Sequence, residues 1–86
     1  MPIKVTDRGD RYEIYADDLL VGFADVVDQG NSVILPHVEV FPEHGGKGYA
    51  TILVRDMLRD LKEKGRPFVP HCPFVIAYLV KHPDEA

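Results

Sequence analysis

Three glycines lie within four positions in the segment Glu-His-Gly-Gly-Lys-Gly-Tyr-Ala, which occupies residues 43–50. Because glycine lacks a Cβ atom, the backbone can adopt positive φ values there and approach a ligand closely. A helical pattern follows, and the first N–H groups of a helix have no intrahelical partner and attract anions. With the charge of Lys47, the segment predicts a phosphate-binding turn. The alternative is a flexible surface turn before a helix.

Two common phosphate-binding motifs do not fit this segment. A Walker A loop needs glycine where Phe41 stands and Ser or Thr after Lys47, where the chain has Gly48. A dinucleotide-binding fingerprint needs Gly-x-Gly-x-x-Gly at the start of a longer, doubly wound sheet. The chain has neither the last glycine nor enough strands, so both classes of site are excluded.

Cys72 is the single cysteine and precedes Pro73, a favoured first residue of a helix. It is therefore expected at the helix N-cap, where unpaired N–H groups and the helix dipole favour the thiolate. The alternative is a buried cysteine that packs as a small apolar side chain. One cysteine forms no internal disulfide, which fits a reducing compartment. The spacings of the histidines and Cys72 match no zinc pattern, so no metal site is predicted.

Hydrophobic periodicity indicates the strands that position these residues. Residues 12–16 and 19–27 are rich in β-branched and aromatic side chains and predict a hairpin around Asp17-Asp18. A third strand is predicted over residues 33–40. Because proline cannot donate to a sheet ladder, Pro36 predicts a bulge or a divergence from a neighbouring strand near its middle.

Apolar residues recur three or four positions apart over residues 48–64, which predicts an amphipathic helix that stops before Gly65. Phe68 and Val69 predict a short fourth strand, and residues 74–81 predict a second helix. The residues of this helix expected to face inward are Phe74, Val75, Ala77, Tyr78 and Leu79.

This order predicts an α+β domain with a mixed, mostly antiparallel sheet of about four to five strands, a β-α-β unit and a C-terminal helix. A strand, helix, strand connection almost always joins parallel strands. The loops after Val40 and Val69 are therefore expected at the same end of the sheet, where open sheets bind ligands. This arrangement would place Cys72 near the glycine-rich segment.

Length and charge exclude other classes of protein. The 86 residues suit a single domain over residues 1–86, as a monomer or weak homodimer. The net charge of -4 and the scattered Lys and Arg residues argue against a nucleic-acid partner. No apolar run is long enough to span a bilayer, and the N-terminus lacks the apolar core of a signal peptide. We therefore expect no membrane partner and a cytoplasmic location.

Residues 45–50 resemble the acetyl-CoA pyrophosphate motif of the GNAT acyltransferases: Arg or Gln, two residues, Gly, one residue, then Gly or Ala. Gly48 and Ala50 occupy the two small positions, and Gly45 stands where Arg or Gln is usual. From residue 12 to residue 84 the chain is similar to minimal GNAT-like N-acetyltransferases of the YjdJ type, notably in residues 37–40 and 72–84. The resemblance implies a small GNAT-like fold, acetyl-CoA as cofactor, and an amine acceptor that is a small molecule or a protein.

The resemblance also implies catalytic and binding roles. A cysteine at this position of the minimal family is proposed to accept the acetyl group, so Cys72 is a candidate nucleophile. In other GNAT enzymes the amine attacks directly, and Glu39 and His37, two apart on one strand, are candidate bases; the alternative is a pair of solvated side chains. The expected cofactor contacts are Val40, His44, Gly45, Gly46, Lys47, Gly48, Tyr49, Ala50, Tyr78 and Lys81. The competing functions are a non-catalytic acyl-CoA-binding module and an interaction protein.

Overall fold

The computed structural model describes residues 2–86. Along this range the chain forms seven strands, two α-helices and two short 3-10 turns. The strands are β1 (Ile3–Asp7), β2 (Arg11–Ala16), β3 (Leu19–Asp25), β4 (Val27–Asp28), β5 (Val33–Leu35), β6 (Val38–Val40) and β7 (Phe68–Pro70). The helices are α1 (Tyr49–Glu63) and α2 (Pro73–Lys81), and the 3-10 turns are Pro42–His44 and Pro83–Glu85.

The strands form two sheets. One is four-stranded and antiparallel, in the order β1-β2-β3-β6. The other is three-stranded, in the order β4-β5-β7, with an antiparallel β4–β5 pair and a parallel β5–β7 pair. The predicted α+β class with mixed, mostly antiparallel strands is confirmed.

The first sheet contains the predicted hairpin. β2 and β3 are joined by a turn in which Asp17 has a φ of 54°, and their register shifts between Ile14 and Tyr15. β3 ends at Asp25, so Val27, which was expected in the same strand, belongs instead to β4 in the second sheet. β1 pairs with the free edge of β2 and was not predicted.

Pro36 divides the predicted third strand into β5 and β6, which enter different sheets. The predicted divergence is therefore confirmed, since proline offers no N–H to continue a ladder. The loop after Val40 was expected to leave a strand of the parallel pair. That expectation was wrong, because the loop leaves β6, which pairs antiparallel with β3. A Cβ at Gly22, opposite Val40, would lie 2.5 Å from the Glu39 carbonyl oxygen, so glycine permits this close pairing.

Helix α1 follows the glycine-rich loop (residues 41–48) and lies within the predicted range 48–64. Its apolar stripe packs against the first sheet and forms the centre of the hydrophobic core. Removing each aliphatic side chain of this kind from water contributes about 1.5–3 kcal/mol. The buried residues of α1 are Tyr49, Leu53, Val54, Met57, Leu58 and Leu61.

Helix α2 has a different orientation from the one predicted. Val75 and Tyr78 are buried, whereas Phe74 is 40% exposed and Ala77 is also exposed. The expectation that Phe74 and Ala77 face inward was therefore wrong. Apolar residues occupy nearly every side of α2, so periodicity does not determine which side faces the core. Within residues 2–86, no helix has the length and apolar character needed to cross a membrane.

Candidate functional site

The glycine-rich loop joins β6 to α1 and is held at its first half by backbone hydrogen bonds. The Phe41 N–H donates to the carbonyl oxygen of Val21 in β3 over 2.9 Å. The 3-10 turn that follows, Pro42–His44, is closed by a 3.2 Å bond from the Gly45 N–H to the Pro42 carbonyl oxygen. These bonds fix the point from which the second half of the loop reaches α1.

The second half of the loop needs glycine for its backbone conformation. Gly46 and Gly48 have φ values of 77° and 81°, in the left-handed region that other residues adopt only with strain. A Cβ atom at either position would meet nothing within 4 Å. Conformation rather than crowding therefore requires glycine here, and the space beside both residues is open to a ligand.

Several backbone donors gather at the junction of the loop and α1. The first intrahelical bond runs from the Ile52 N–H to the Gly48 carbonyl oxygen over 3.2 Å. Unpaired N–H groups at a helix start, aided by the helix dipole, form a site suited to a phosphate group. The exposed Lys47 adds a positive charge. Within residues 2–86, the N–H groups that donate to no protein acceptor here are those of Gly46, Lys47, Gly48, Ala50 and Thr51.

A pocket of about 300 Å³ lies between the first turn of α1 and the outer side of α2, and we call it the α2 pocket. It brings together two of the predicted cofactor contacts, Tyr78 and Lys81. It also contains residues for which no ligand role was predicted. Its lining consists of Thr51, Phe74, Ala77, Tyr78, Lys81 and His82.

Tyr78 connects the α2 pocket to the core. Its side chain is buried, and its ring lies 4.5 Å from the His82 ring, centroid to centroid. Burial raises the pKa of the Tyr78 hydroxyl above its usual value, because the charged form would lose its hydration. Tyr78 is therefore protonated at neutral pH and can donate a hydrogen bond.

A second pocket, of about 260 Å³, lies on the hairpin side of the loop. It brings together His44, Lys47 and Tyr49, three further predicted contacts. The remaining lining comes from the β2–β3 hairpin: Ala16, Asp17, Leu19 and Val21. The predicted cofactor contacts of α2 therefore line one pocket and those of the loop and the start of α1 line the other, while Val40 lies at the end of β6 where the loop begins.

Cys72 is the N-cap of α2, as predicted, but its surroundings match the structural alternative. The residue is 6% exposed and belongs to the hydrophobic core, and its side chain makes no capping hydrogen bond. Its backbone N–H donates to the Leu35 carbonyl oxygen over 3.0 Å. Within residues 2–86, no hydrogen bond joins Cys72 to the glycine-rich loop. The role of Cys72 as a nucleophile stays a prediction.

His37 and Glu39 lie side by side, as their spacing predicted. The His37 Nε2 atom is 3.1 Å from the Glu39 Oε1 atom, and the two side chains are 51% and 45% exposed. The pair is therefore open to solvent and to an acceptor, whereas the Cys72 thiol is not. The role of Glu39 and His37 as candidate bases stays a prediction. Within residues 2–86, no group of three or more His, Cys, Asp or Glu residues could hold a metal ion.

The sequence contained a signal for the α2 pocket that was assigned to the core. Phe74, Tyr78 and Lys81 are four and three positions apart, so they lie on one side of a helix. Core packing is the interpretation that the sequence favours for Phe74 and Tyr78, whereas Lys81 is expected to contact the cofactor. The positions of Thr51 and His82 depend on how α2 crosses the start of α1, and the sequence carries no local signal for that.

The family profile described as GCN5-related N-acetyl-transferase matches residues 11–86. Among solved structures, the chain is similar to a ribosomal-protein-alanine N-acetyltransferase from Brucella melitensis biovar Abortus 2308, with a TM-score of 0.63 and 24% identity. That match covers 73% of this chain and 50% of the Brucella protein.

Two further structures give similar matches. The PaiA N-acetyltransferase from Thermoplasma acidophilum, in complex with coenzyme A, has a TM-score of 0.56 and 25% identity, over 64% of this chain and 35% of that chain. Eis1 from Mycobacterium abscessus has a TM-score of 0.56 and 26% identity, over 70% of this chain and 18% of that chain.

The chain spans half or less of the length of each of these three proteins. No curated protein sequence is significantly similar to it. The family profile, however, covers residues 11–86, which include six of the seven strands, the glycine-rich loop and both helices, and leave out only β1 among these elements. The chain belongs to the GCN5-related N-acetyltransferase family.

Proposed function

We propose that this protein is an acetyl-CoA-dependent N-acetyltransferase formed by one domain over residues 1–86, of the minimal YjdJ type. The observation that carries the proposal is the set of unpaired N–H groups where the glycine-rich loop meets α1, beside an open pocket. Family membership supports the same function, and the PaiA relative was solved with coenzyme A.

The cofactor would bind across the start of α1. Its pyrophosphate would accept hydrogen bonds from the N–H groups of residues 46–48 and 50, with Lys47 neutralising part of its charge. The α2 pocket, with the Tyr78 hydroxyl as donor and the Lys81 ammonium, would take a further part of the cofactor. The acyl end would then lie near Val40, where β6 and β7 share no ladder.

The arrangement favours direct attack by the acceptor amine. The acceptor's ammonium group loses a proton to Glu39, directly or through His37, and the neutral nitrogen attacks the carbonyl carbon of the thioester. A C–N bond forms and the C–S bond breaks. The second nitrogen proton passes to the departing thiolate, which leaves as coenzyme A, and Glu39 releases its proton to water. The exposure of Glu39 and His37 supports this route.

Transfer through Cys72 is the alternative route. The thiolate would attack the thioester, coenzyme A would leave, and the amine would then attack the acetyl-cysteine. The position of Cys72 at the N-cap of α2 favours a thiolate. Its burial opposes the route, because the thiol would have to become accessible to the cofactor and then to the acceptor.

Cofactor binding is tested by thermal unfolding with coenzyme A. A ligand at about 100 times its Kd stabilises the folded state by about 2.7 kcal/mol. We expect stabilisation of the wild-type protein, a clear reduction in Gly46→Ala, and no reduction in Gly30→Ala. Gly30 is a matched control because it too has a positive φ, 88°, and open space beside it, but lies far along the chain from the loop. Absence of stabilisation in the wild type would contradict the proposal.

The chemistry is tested by intact mass and turnover. Incubation with acetyl-CoA should leave the protein mass unchanged, and thiol release should depend on an added amine. A gain of one acetyl group that is absent in Cys72→Ser would establish the cysteine route instead. Stabilisation by coenzyme A with neither acetyl gain nor turnover on any amine would identify a non-catalytic binding module.

A further inference from the structure

The four-stranded sheet has two different faces. Helix α1 packs against one of them, where Val38 and Val40 of β6 join the margin of the core. Successive side chains of a strand point to opposite sides, so Glu39 lies on the other face. That face is open to solvent at Glu39 and at the adjoining His37. It is thus available to a ligand.

Aromatic rings gather on this open face, where an antiparallel sheet ordinarily carries polar side chains. The Phe23 ring centroid lies 6.0 Å from that of His37 and 6.2 Å from that of Phe41. The Arg11 guanidinium lies 4.6 Å from the Phe23 centroid and already makes a cation–π contact with this ring, so Phe23 offers a ligand apolar surface rather than a cation site. We call Phe23, His37 and Phe41 the aromatic cluster. Glu39 is directly opposite Phe23 in the ladder, so its carboxylate borders the cluster.

The two carboxylates on the open face differ in their cationic partners. Glu13, opposite Phe23 on β2, forms ion pairs with Arg8 and Arg11. Glu39 has only the His37 contact, and within residues 2–86 no lysine or arginine forms an ion pair with it. The carboxylate beside the aromatic cluster is therefore the one with capacity for a further cation.

We propose that the aromatic cluster and Glu39 bind the acceptor, and that the acceptor is a primary ammonium group on an unbranched aliphatic chain. The inference rests on the proposed function. Phe23 and Phe41 offer apolar surface to the methylene groups, and Glu39 pairs with the ammonium. Phe23 acts as a positioning residue, and Glu39 receives the proton that the amine must lose before it attacks. A free diamine and a lysine side chain share this chemistry.

Binding is tested by NMR titration of the 15N-labelled protein with 1,4-diaminobutane and, as a neutral analogue of equal length, 1,4-butanediol. We expect the diamine to shift the amide signals of β3 and β6, and the diol to shift none. Nα-acetyl-lysine methylamide tests the second source of the ammonium, and the tighter of the two amines identifies the source. Equal shifts with diamine and diol would overturn the inference, as would diamine shifts confined to the acidic side of α1, at Asp56, Asp60 and Glu63.

Variants separate this inference from the proposed function. Phe23→Leu should weaken diamine binding by about three-fold, the size expected when one methylene group loses its apolar contact. Phe68→Leu is the control, a half-buried phenylalanine of the second sheet, and should leave diamine binding unchanged. Both variants should keep wild-type stabilisation by coenzyme A. If Phe23→Leu binds the diamine as tightly as the wild type while coenzyme A still stabilises both, the inference fails and the proposed function stands.

Discussion

Two carboxylates on the open face of one sheet, each beside Phe23 in the ladder, have opposite surroundings. Glu13 is 7% exposed and accepts hydrogen bonds from Arg8, Arg11 and the Tyr15 hydroxyl. Glu39 is an exposed residue of β6, the edge strand of the sheet, and has one histidine partner. The comparison shows how the two kinds of carboxylate can be told apart. A carboxylate whose lone pairs all accept hydrogen bonds stabilises the fold. A carboxylate with free lone pairs can bind a ligand or take a proton.

The most severe test of this comparison is Glu39→Gln. If Glu39 is the base, the substitution should lower kcat by about 100-fold, the lower range for the loss of general base catalysis. The free energy of unfolding should change by less than about 0.5 kcal/mol, as for an exposed side chain. Thiol release from acetyl-CoA with 1,4-diaminobutane gives the rate, and urea unfolding gives the stability. An unchanged rate would show that Glu39 is merely solvated.

Glu13→Gln should give the opposite result. The amide cannot satisfy two guanidinium groups and the Tyr15 hydroxyl, so we expect a loss of about 2 kcal/mol in the free energy of unfolding. The kcat of the folded variant should stay within about two-fold of wild type, because Glu13 has no part in the proposed chemistry. Urea unfolding and the same rate assay measure both effects. A large loss of kcat without a loss of stability would reverse the assignment of the two carboxylates.

The pH dependence of stability sharpens the same comparison. Hydrogen bonds from Tyr15 and Arg11 lower the pKa of Glu13 to about 2, below its usual value of 4.5. Because the folded-state pKa is the lower one, the stabilisation is complete above the unfolded-state pKa and is lost as the pH falls from 4.5 toward 2. Between pH 6 and pH 3 the wild type should therefore lose about 1–2 kcal/mol more than Glu13→Gln. Parallel urea-unfolding profiles of the two proteins would contradict this.

The smallest expected effect is that of Tyr15→Phe. The substitution removes the hydroxyl that donates to the Glu13 Oε1 atom over 2.7 Å and keeps the ring. We expect a loss of about 1 kcal/mol in the free energy of unfolding, the usual contribution of one hydrogen bond, and no change in kcat. Denaturant midpoints are sensitive enough to detect it. A loss as large as that of Glu13→Gln would mean that Tyr15, rather than the arginines, holds the carboxylate in place.

Local patterns predicted the elements that depend on neighbours in the chain. The β2–β3 hairpin follows from Asp17-Asp18 between two β-rich runs, and α1 follows from a clear 3.6-residue period. The divergence at Pro36 was predicted because it depends on one missing N–H group. β1 was missed because it is an edge strand whose side chains are half-buried or exposed.

The parts of the site that depend on pairing between distant residues could not be predicted. The cluster around Phe23 requires the register that sets Glu13 and Glu39 on either side of it, and that register includes the shift near Tyr15. The side of α2 that faces the pocket depends on tertiary packing, because its sequence is apolar nearly all round. The shared strand face of His37 and Glu39, by contrast, needed only the two-residue period of a strand.

Pro36 also marks the point at which β6 leaves the sheet that contains β7. Pro36 has no N–H to donate to a ladder, the pairing of β5 with β7 ends at Leu35 and Pro70, and β6 pairs with β3 instead. The strands are therefore already apart before any ligand arrives. If the acyl end of the cofactor lies near Val40, as proposed, its binding breaks no ladder bond between β6 and β7, so its affinity is not reduced by the cost of separating these strands.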